Sequence, residues 1–300
     1  MGERIAVLMG GVSQERPISL RSGEAVVAAL QQQGMAAEGF DVRTLEDLEA
    51  AARWADVAFL TLHGRWGEDG TVQGILDTLA LPYTGSGLAA SALAMDKMRT
   101  KLVWQALGLP TPAFDVVTPD RPLDMTTFAL NFPVMVKPAH EGSSIGMARA
   151  DTPSALHDAV EAALALDTVV LIEQWIEGAE YTAGIVGEQV LPLIRVETPR
   201  QFYDFTAKYA ATDTRYHCPC GLDPHQEGAL AHLAMRAFQA VGAQGWGRVD
   251  MMVDESGQSW LIEVNTLPGM TDHSLVPMAA QQLGWDFATL VMRILETVQR

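Results

Sequence analysis

Gly247-Arg-Val-Asp-Met-Met-Val253 and Trp260-Leu-Ile-Glu-Val-Asn265 are two β-patterned runs that flank Asp254-Glu-Ser-Gly-Gln-Ser259. They predict a hairpin from Gly247–Val253 to Ser259–Asn265. Side chains alternate faces along a strand, so Arg248 shares a face with Asp250, and Glu263 shares one with Asn265. If the turn centres on Ser256-Gly257, Asp250 falls opposite Glu263 and Arg248 opposite Asn265. A slip of one residue would undo that pairing. Two carboxylates and an amide oxygen, with no His or Cys beside them, form a hard oxygen donor set. It suits Mg²⁺ whose shell is completed by phosphate oxygens. An exposed polar face with an ordinary ion pair explains the same residues equally well when they are taken alone.

Working outward, Glu141-Gly-Ser-Ser-Ile-Gly146 follows Lys137. Its backbone N–H groups can wrap phosphates while the lysine offsets charge. It is not a Walker A loop, since no Gly-Lys-Ser/Thr follows the required gap, and it lies between two predicted strands. By itself it is a turn. Lys97 starts or sits on a helix, where a lysine is ordinarily solvated. His63 ends a strand before Gly64, at a loop that would serve a ligand or solvent alike. Glu15 follows Gly10-Gly11 near a helix start, where the dipole alone would favour an acid.

The first third alternates strand and helix: Ile5–Met9, a helix from Pro17 to about Gln33, Ala36–Val42, a helix near Leu45–Trp54, and Val57–Leu62. That order predicts a parallel sheet with ligands beyond its carboxyl ends, where Gly10-Gly11 and His63-Gly64 fall. One long helix is predicted over 88–107. Strands at Pro133–Lys137 and just after Gly146, a helix at Ser154–Leu166 and a strand at Val169–Trp175 follow. Gln201–His217 fits neither period and is expected to be a functional loop. A helix at Gln226–Val241 precedes the hairpin, and helices from about Ser274 and Asp286 close the chain. The expected division is 1–95, 96–184 and 185–300.

The 300 residues carry 20 Lys+Arg against 37 Asp+Glu, a net charge of −17, and are 48% hydrophobic. This excludes a disordered or collagen-like chain. It also excludes general attraction to nucleic acid or an anionic membrane. Cys218 and Cys220 form a CxC that completes no zinc set, so two reduced thiols are expected. No apolar run is long enough to span a membrane. The start MGERIAVLMGG lacks a signal-peptide layout, and a cytoplasmic location is expected.

Taken together, the motifs resemble those of the ATP-grasp ligases, and within them the D-alanine–D-alanine ligases. They are Leu8-Met-Gly-Gly-Val-Ser-Gln-Glu-Arg16, Leu62-His-Gly-Arg-Trp-Gly-Glu-Asp-Gly70, Pro82-Tyr-Thr-Gly-Ser86, Met95-Asp-Lys97 and Val136-Lys-Pro138. Glu141–Gly146, Gly245-Trp-Gly-Arg-Val-Asp250, Glu263-Val-Asn-Thr-Leu-Pro-Gly-Met-Thr271 and His273-Ser-Leu-Val-Pro277 continue the series in the family's order. The resemblance implies an α/β (α+β) ATP-grasp fold. It has an N-terminal Rossmann-like domain, a small central α+β domain and a C-terminal α+β domain holding the metals.

It also implies the chemistry. A D-alanine carboxylate attacks the γ-phosphate of ATP, and the amine of a second D-alanine attacks the resulting acyl phosphate, as cell-wall peptidoglycan synthesis requires. By the same resemblance Asp250, Glu263 and Asn265 hold two Mg²⁺ (or Mn²⁺), and Lys97, Lys137 and Ser144 meet the phosphates. Glu173, Trp175, Ile176 and Glu180 hold the adenine and ribose. Glu15 and His63 serve the first D-alanine. Arg248 and the Gly269 N–H hold the oxyanion, and Ser274 and Leu275 take the second carboxylate. Phe202–Tyr209 resembles a lid: Phe202 and Lys208 serve ATP, and Tyr209 bonds Glu15 and Ser143. A homodimer is the family expectation. A D-alanine–D-lactate ligase and a non-catalytic nucleotide binder are the competing readings. Tyr209 speaks against the first, and the complete set of site residues against the second.

Overall fold

The computed structural model describes residues 2–200, 213–271 and 274–298. Its first sheet is three parallel strands, β1 (Arg4–Gly10), β2 (Ala36–Val42) and β3 (Val57–Leu60), in the order β2-β1-β3. The central strand carries Ile5, Ala6, Val7 and Leu8, all fully buried, as a strand covered on both faces must be. Helices α1 (Arg16–Gln32) and α2 (Leu45–Trp54) make the crossovers. α1 begins where Pro17 fits the first turn, and α2 opens on a Thr44–Asp47 capping box. At the carboxyl end of β1, Gly10 and Gly11 take φ of +87° and +79°, which only glycine adopts cheaply.

Helix α3 (Thr71–Thr78) was not predicted; its eight residues are too short for the period to show. The single helix predicted over 88–107 is two, α4 (Leu88–Met95) and α5 (Lys97–Ala106). The break falls at Asp96, whose carboxylate accepts the Arg99 N–H at 2.9 Å and so caps a new helix. That turn puts Lys97 at the first position of α5.

The second sheet is antiparallel, in the order β4-β7-β5-β6: β4 (Phe114–Val117), β5 (Val134–Pro138), β6 (Ala148–Ala150) and β7 (Val170–Gln174). Helix α6 (Pro153–Leu164) covers it through Leu156, Ala159, Val160 and Ala163. The third sheet runs β11-β10-β8-β12-β13, with β9 on β8. Its strands are β8 (Gly178–Val186), β9 (Gln189–Val190), β10 (Ile194–Glu197), β11 (Arg215–His217), β12 (Trp246–Asp254) and β13 (Ser259–Asn265). β8 runs across residue 184 and pairs with β12 along its whole length. β11 corrects the end of the expected loop, since Arg215–His217 pairs with β10. The rest of that stretch, 201–212, lies outside the described residues.

Helix α7 (Pro224–Ala240) packs on β12 and β13. Helices α8 (Leu275–Gln282) and α9 (Phe287–Glu296) return to the first sheet. There Val276, Ala279, Leu290 and Ile294 share one core with Leu8, Leu30, Phe59 and Leu60. The end of the chain is thereby tied to its beginning, and the loops after β1, β3 and β13 face one another. Among the described residues no helix is long and apolar enough to cross a membrane.

Candidate active site

The β12–β13 hairpin places its polar residues as the sequence predicts: Arg248 opposite Asn265 and Asp250 opposite Glu263. Nearer the turn the predicted register is nevertheless off by one residue, the turn centring on Ser256. Beyond a bulge at Asp250/Met251 the pairing becomes Met251 with Leu261 and Val253 with Ser259. The extra residue, Ile262, restores at the functional end the register that the turn shifts. Asp254 closes that turn, its carboxylate accepting the N–H groups of Ser256 and Gln258 at 2.9 Å each.

Two cavities meet at Glu263, which lines both. The larger, about 550 Å³, is lined by Lys97, Lys137, Ser144, Glu173, Trp175, Ile176, Glu180 and Asp250 among the predicted residues. Met135, Met147, Met252 and Ile262 add apolar wall. The smaller, about 200 Å³, is lined by Glu15, His63, Ser143, Arg248, Asn265, Gly269, Ser274 and Leu275. Phe202, Lys208 and Tyr209 lie outside the described residues, as does His273.

The lysines of the larger cavity are held by carbonyl and carboxylate oxygens. Lys97 Nζ donates to the Glu141 carbonyl at 2.7 Å and lies 3.6 Å from Glu263. Lys137 Nζ lies 2.8 Å from Glu173 Oε2, both groups almost fully buried. Lys137 is paired with Leu171, two residues from Glu173, so the two side chains are diagonal neighbours on one face of the sheet. On the far side of that carboxylate, Lys101 Nζ lies 3.1 Å from Oε1. Burial pushes Glu173 up, but the two ammonium groups outweigh it and hold the carboxyl below its usual range. Burial pushes Lys101 down to about 8 despite the pull of Glu173.

The loop 141–146 is anchored at its base. His140 Nδ1 lies 2.8 Å from Asp167, and Nε2 lies 3.2 Å from Asp96, the cap of the helix that carries Lys97. The hydrogen bond to Asp96 raises the His140 pKa against the effect of burial. Ser143 and Ser144 both take left-handed φ, +53° and +59°. Such strain in non-glycine residues is retained where surrounding structure fixes it, and ligand clamps are common places for it. Ser143 Oγ donates to Glu15 and joins this loop to the start of α1.

In the smaller cavity Arg248 grips Asp250 with two bonds, Nε at 2.8 Å and Nη2 at 2.7 Å. Asn265 Nδ2 and Thr182 Oγ1 also donate to that carboxylate, at 3.0 and 2.6 Å. His63 is buried, and its Nδ1 meets the Leu267 carbonyl at 3.0 Å. A carbonyl only accepts, so Nδ1 carries the proton and Nε2 presents a lone pair. Nε2 has no partner among the described residues. Burial holds His63 below its ordinary pKa, hence neutral. A Cβ at Gly269 would come within 2.8 Å of Ser274 Oγ, so its backbone approaches as only glycine allows. Ser274 stands at the N-cap position of α8, and it and Leu275 both line the same cavity.

Sequence profiles settle the family. The one described as D-ala D-ala ligase N-terminus matches residues 37–86, and the one described as D-ala D-ala ligase C-terminus matches 103–296. The chain belongs to the D-alanine–D-alanine ligase family. The family's D-alanine–D-alanine ligase from Hydrogenovibrio crunogenus is 56% identical over 97% of this chain and 93% of its own. The one from Halorhodospira halophila is 57% identical over 97% and 95%. Among solved members of the ligase family, the Bacillus anthracis enzyme superposes with a TM-score of 0.90 at 35% identity. The alignment covers 99% of this chain and 97% of that one. The same enzyme complexed with ATP gives 0.88 at 34% identity, with the same coverage. The architecture is therefore the ATP-grasp fold of the ligase family.

Three residues of this ligase-family site escaped the sequence reading. Lys101 stands four residues after Lys97, a spacing that puts both on one helix face and could have flagged it. Glu68 lines the smaller cavity and accepts the Gly64 N–H at 2.6 Å. Desolvation, then the Glu15 charge, pushes Glu68 up to about 8. Thr182 sits on β8, a strand that the sequence reading missed.

Proposed function

We propose that the chain joins two D-alanines into D-alanyl-D-alanine at the expense of one ATP, as a carbon–nitrogen ligase serving peptidoglycan precursor synthesis. The observation that carries this is the meeting of the two cavities at Glu263: one suits a nucleotide triphosphate, the other two amino acids. The larger cavity takes ATP, its adenine and ribose against Trp175, Ile176, Glu173 and Glu180, its phosphates toward Lys97, Lys137 and Ser144. Asp250, Glu263 and Asn265 fit Mg²⁺ or Mn²⁺ in donor chemistry, being hard oxygens on one end of one hairpin. Among the described residues no three His, Cys, Asp or Glu converge, so an amide and phosphate oxygens complete the set. Two such ions, held by these residues, would screen the triphosphate against an approaching carboxylate.

The first D-alanine presents its ammonium to Glu15 and the His63 lone pair. Its carboxylate oxygen attacks the γ-phosphorus, the bond to the β-phosphate oxygen breaks, and ADP leaves an acyl phosphate. The second D-alanine is held by its carboxylate at Ser274 and Leu275, where a helix N-terminus favours an anion. Its amine loses a proton and attacks the carbonyl. Arg248 and the Gly269 N–H steady the oxyanion, and phosphate departs with the former carboxylate oxygen. By the family resemblance Phe202, Lys208 and Tyr209, which lie outside the described residues, would serve to exclude water from the acyl phosphate.

The same reading divides the chain into 1–95, 96–184 and 185–300, with β8 (Gly178–Val186) spanning the second boundary. It places the enzyme in the cytoplasm, as a homodimer. The test is mass spectrometry of the product formed from D-alanine, ATP and Mg²⁺, with and without D-lactate. Dipeptide with one ADP each is expected. Depsipeptide as the main product, or no D-alanine-dependent ADP, overturns the proposal.

A further inference from the structure

Lys137 is assigned to the phosphates, yet its ammonium is already 2.8 Å from a buried carboxylate. A neutral Lys137–Glu173 pair would offer a polyanion little net charge, and burial makes that balance count, because little water screens it. Lys101 changes the sum. It is fully buried, does not line the cavity, and sits behind Glu173 on the other carboxylate oxygen. Its remaining contacts are the Thr111 hydroxyl at 2.5 Å and the Phe114 ring, 5.9 Å from the centroid. Phe114 is paired with Glu173 across β4 and β7, so the ring beside Lys101 comes from the strand next to the one that carries the carboxylate. Two ammonium groups on one carboxylate leave one positive charge, and only Lys137 of the two faces the cavity.

We infer that Lys101 is a positioning residue that takes up the Glu173 charge from behind and so leaves Lys137 positive toward the phosphates. The inference rests on the reading of the larger cavity as the ATP site. A lysine fully out of water is costly and is retained where its charge is used. Thr111 would keep its bond to the Leu261 carbonyl, 2.9 Å, if Lys101 were replaced.

The experiment titrates the full-length protein and its variants with two probes, ADP and adenosine, and reads the ratio of their affinities. Lys101→Met is expected to weaken ADP roughly tenfold, the scale of coupling between contacting charges, with adenosine unchanged. Lys101→Met/Glu173→Gln keeps Lys137 alone and so restores the parent cluster's net charge of one positive unit. It is expected to bring the ratio back to within about threefold of the parent, near the resolution of such cycles. Should the Met variant not fold, Lys101→Gln loses the same charge and must show the same loss. Equal weakening of ADP and adenosine, or no recovery in the double variant, overturns the inference in favour of a merely structural lysine. Lys137→Met serves as the control. If it weakens ADP while Lys101→Met does not, the inference alone falls. If Lys137→Met leaves ADP binding intact, the phosphate reading falls and takes the inference with it.

Discussion

The two cavities handle burial in opposite ways. In the larger, opposite charges are matched: Lys101, Glu173 and Lys137 are all buried, with one ammonium group against each oxygen of the carboxylate. In the smaller, beside the Arg248 guanidinium, two groups are kept neutral: His63 is held below its usual pKa and Glu68 is held up at about 8. A nucleotide brings several negative charges, so fixed cations suit it. An amino acid is a zwitterion whose ammonium must lose a proton before it can attack, so neutral groups near it leave room for proton movement. The contrast is one of charge, matched ions on one side and neutral groups on the other, and each side holds one group, Lys101 or Glu68, shifted to about 8 by burial.

Replacement of Glu263, the residue common to both cavities, should cost most. Glu263→Gln keeps the shape and loses the charge that would offset metal and lysine, and kcat/KM should fall on the order of 10³-fold, comparable to losing a cation on a transferring phosphoryl group. Near-normal turnover at ordinary Mg²⁺ would separate the cavities again and remove the metal assignment.

Arg248→Lys comes next and sharpens the contrast from the smaller side. The planar fork that now spans both oxygens of Asp250 is lost while the charge stays. Because the oxyanion exists only as the amine attacks, kcat should drop on the order of 10²-fold with ATP affinity little changed. A lysine that substitutes within about threefold, well short of an oxyanion donor's worth, would mean that Arg248 only pairs with Asp250.

Much of this was legible in the sequence, for reasons that differ along the chain. The parallel sheet could be read because β1 is an unbroken apolar run beside two glycines. The hairpin could be read because its polar residues alternate, although the agreement at Asp250 and Glu263 depends on a bulge at Ile262 that no period reveals. The break at Asp96 was hidden because Met95 and Lys97 both suit a helix and only the cap divides them. β8, though nine residues long, was missed because Gly178, Glu180 and Gly184 disguise a buried strand. Lys101 and Glu68 were passed over because their importance lies in partners more than 60 residues away or in a cavity shared with Glu15.

The smallest expected effect concerns pH. Glu68 has a folded pKa near 8 against an ordinary 4.5, so the native state holds its proton more tightly than the unfolded chain. Its contribution to stability is therefore complete below 4.5 and is lost as pH rises through about 8. Glu68→Gln, which imitates the protonated acid, should flatten that slope in Tm measured from about pH 6 to about pH 9, across the folded pKa of about 8. An unchanged slope would show that the smaller cavity does not store a neutral carboxyl.

The central claim is that a carboxylate in the smaller cavity reaches the phosphorus of a nucleotide in the larger one. D-alanine labelled with ¹⁸O in its carboxylate, turned over with ordinary ATP and water, tests this directly. The transfer predicts one ¹⁸O in each inorganic phosphate released, with none in ADP. Phosphate free of label would contradict it, because the oxygen would then have come from somewhere other than D-alanine.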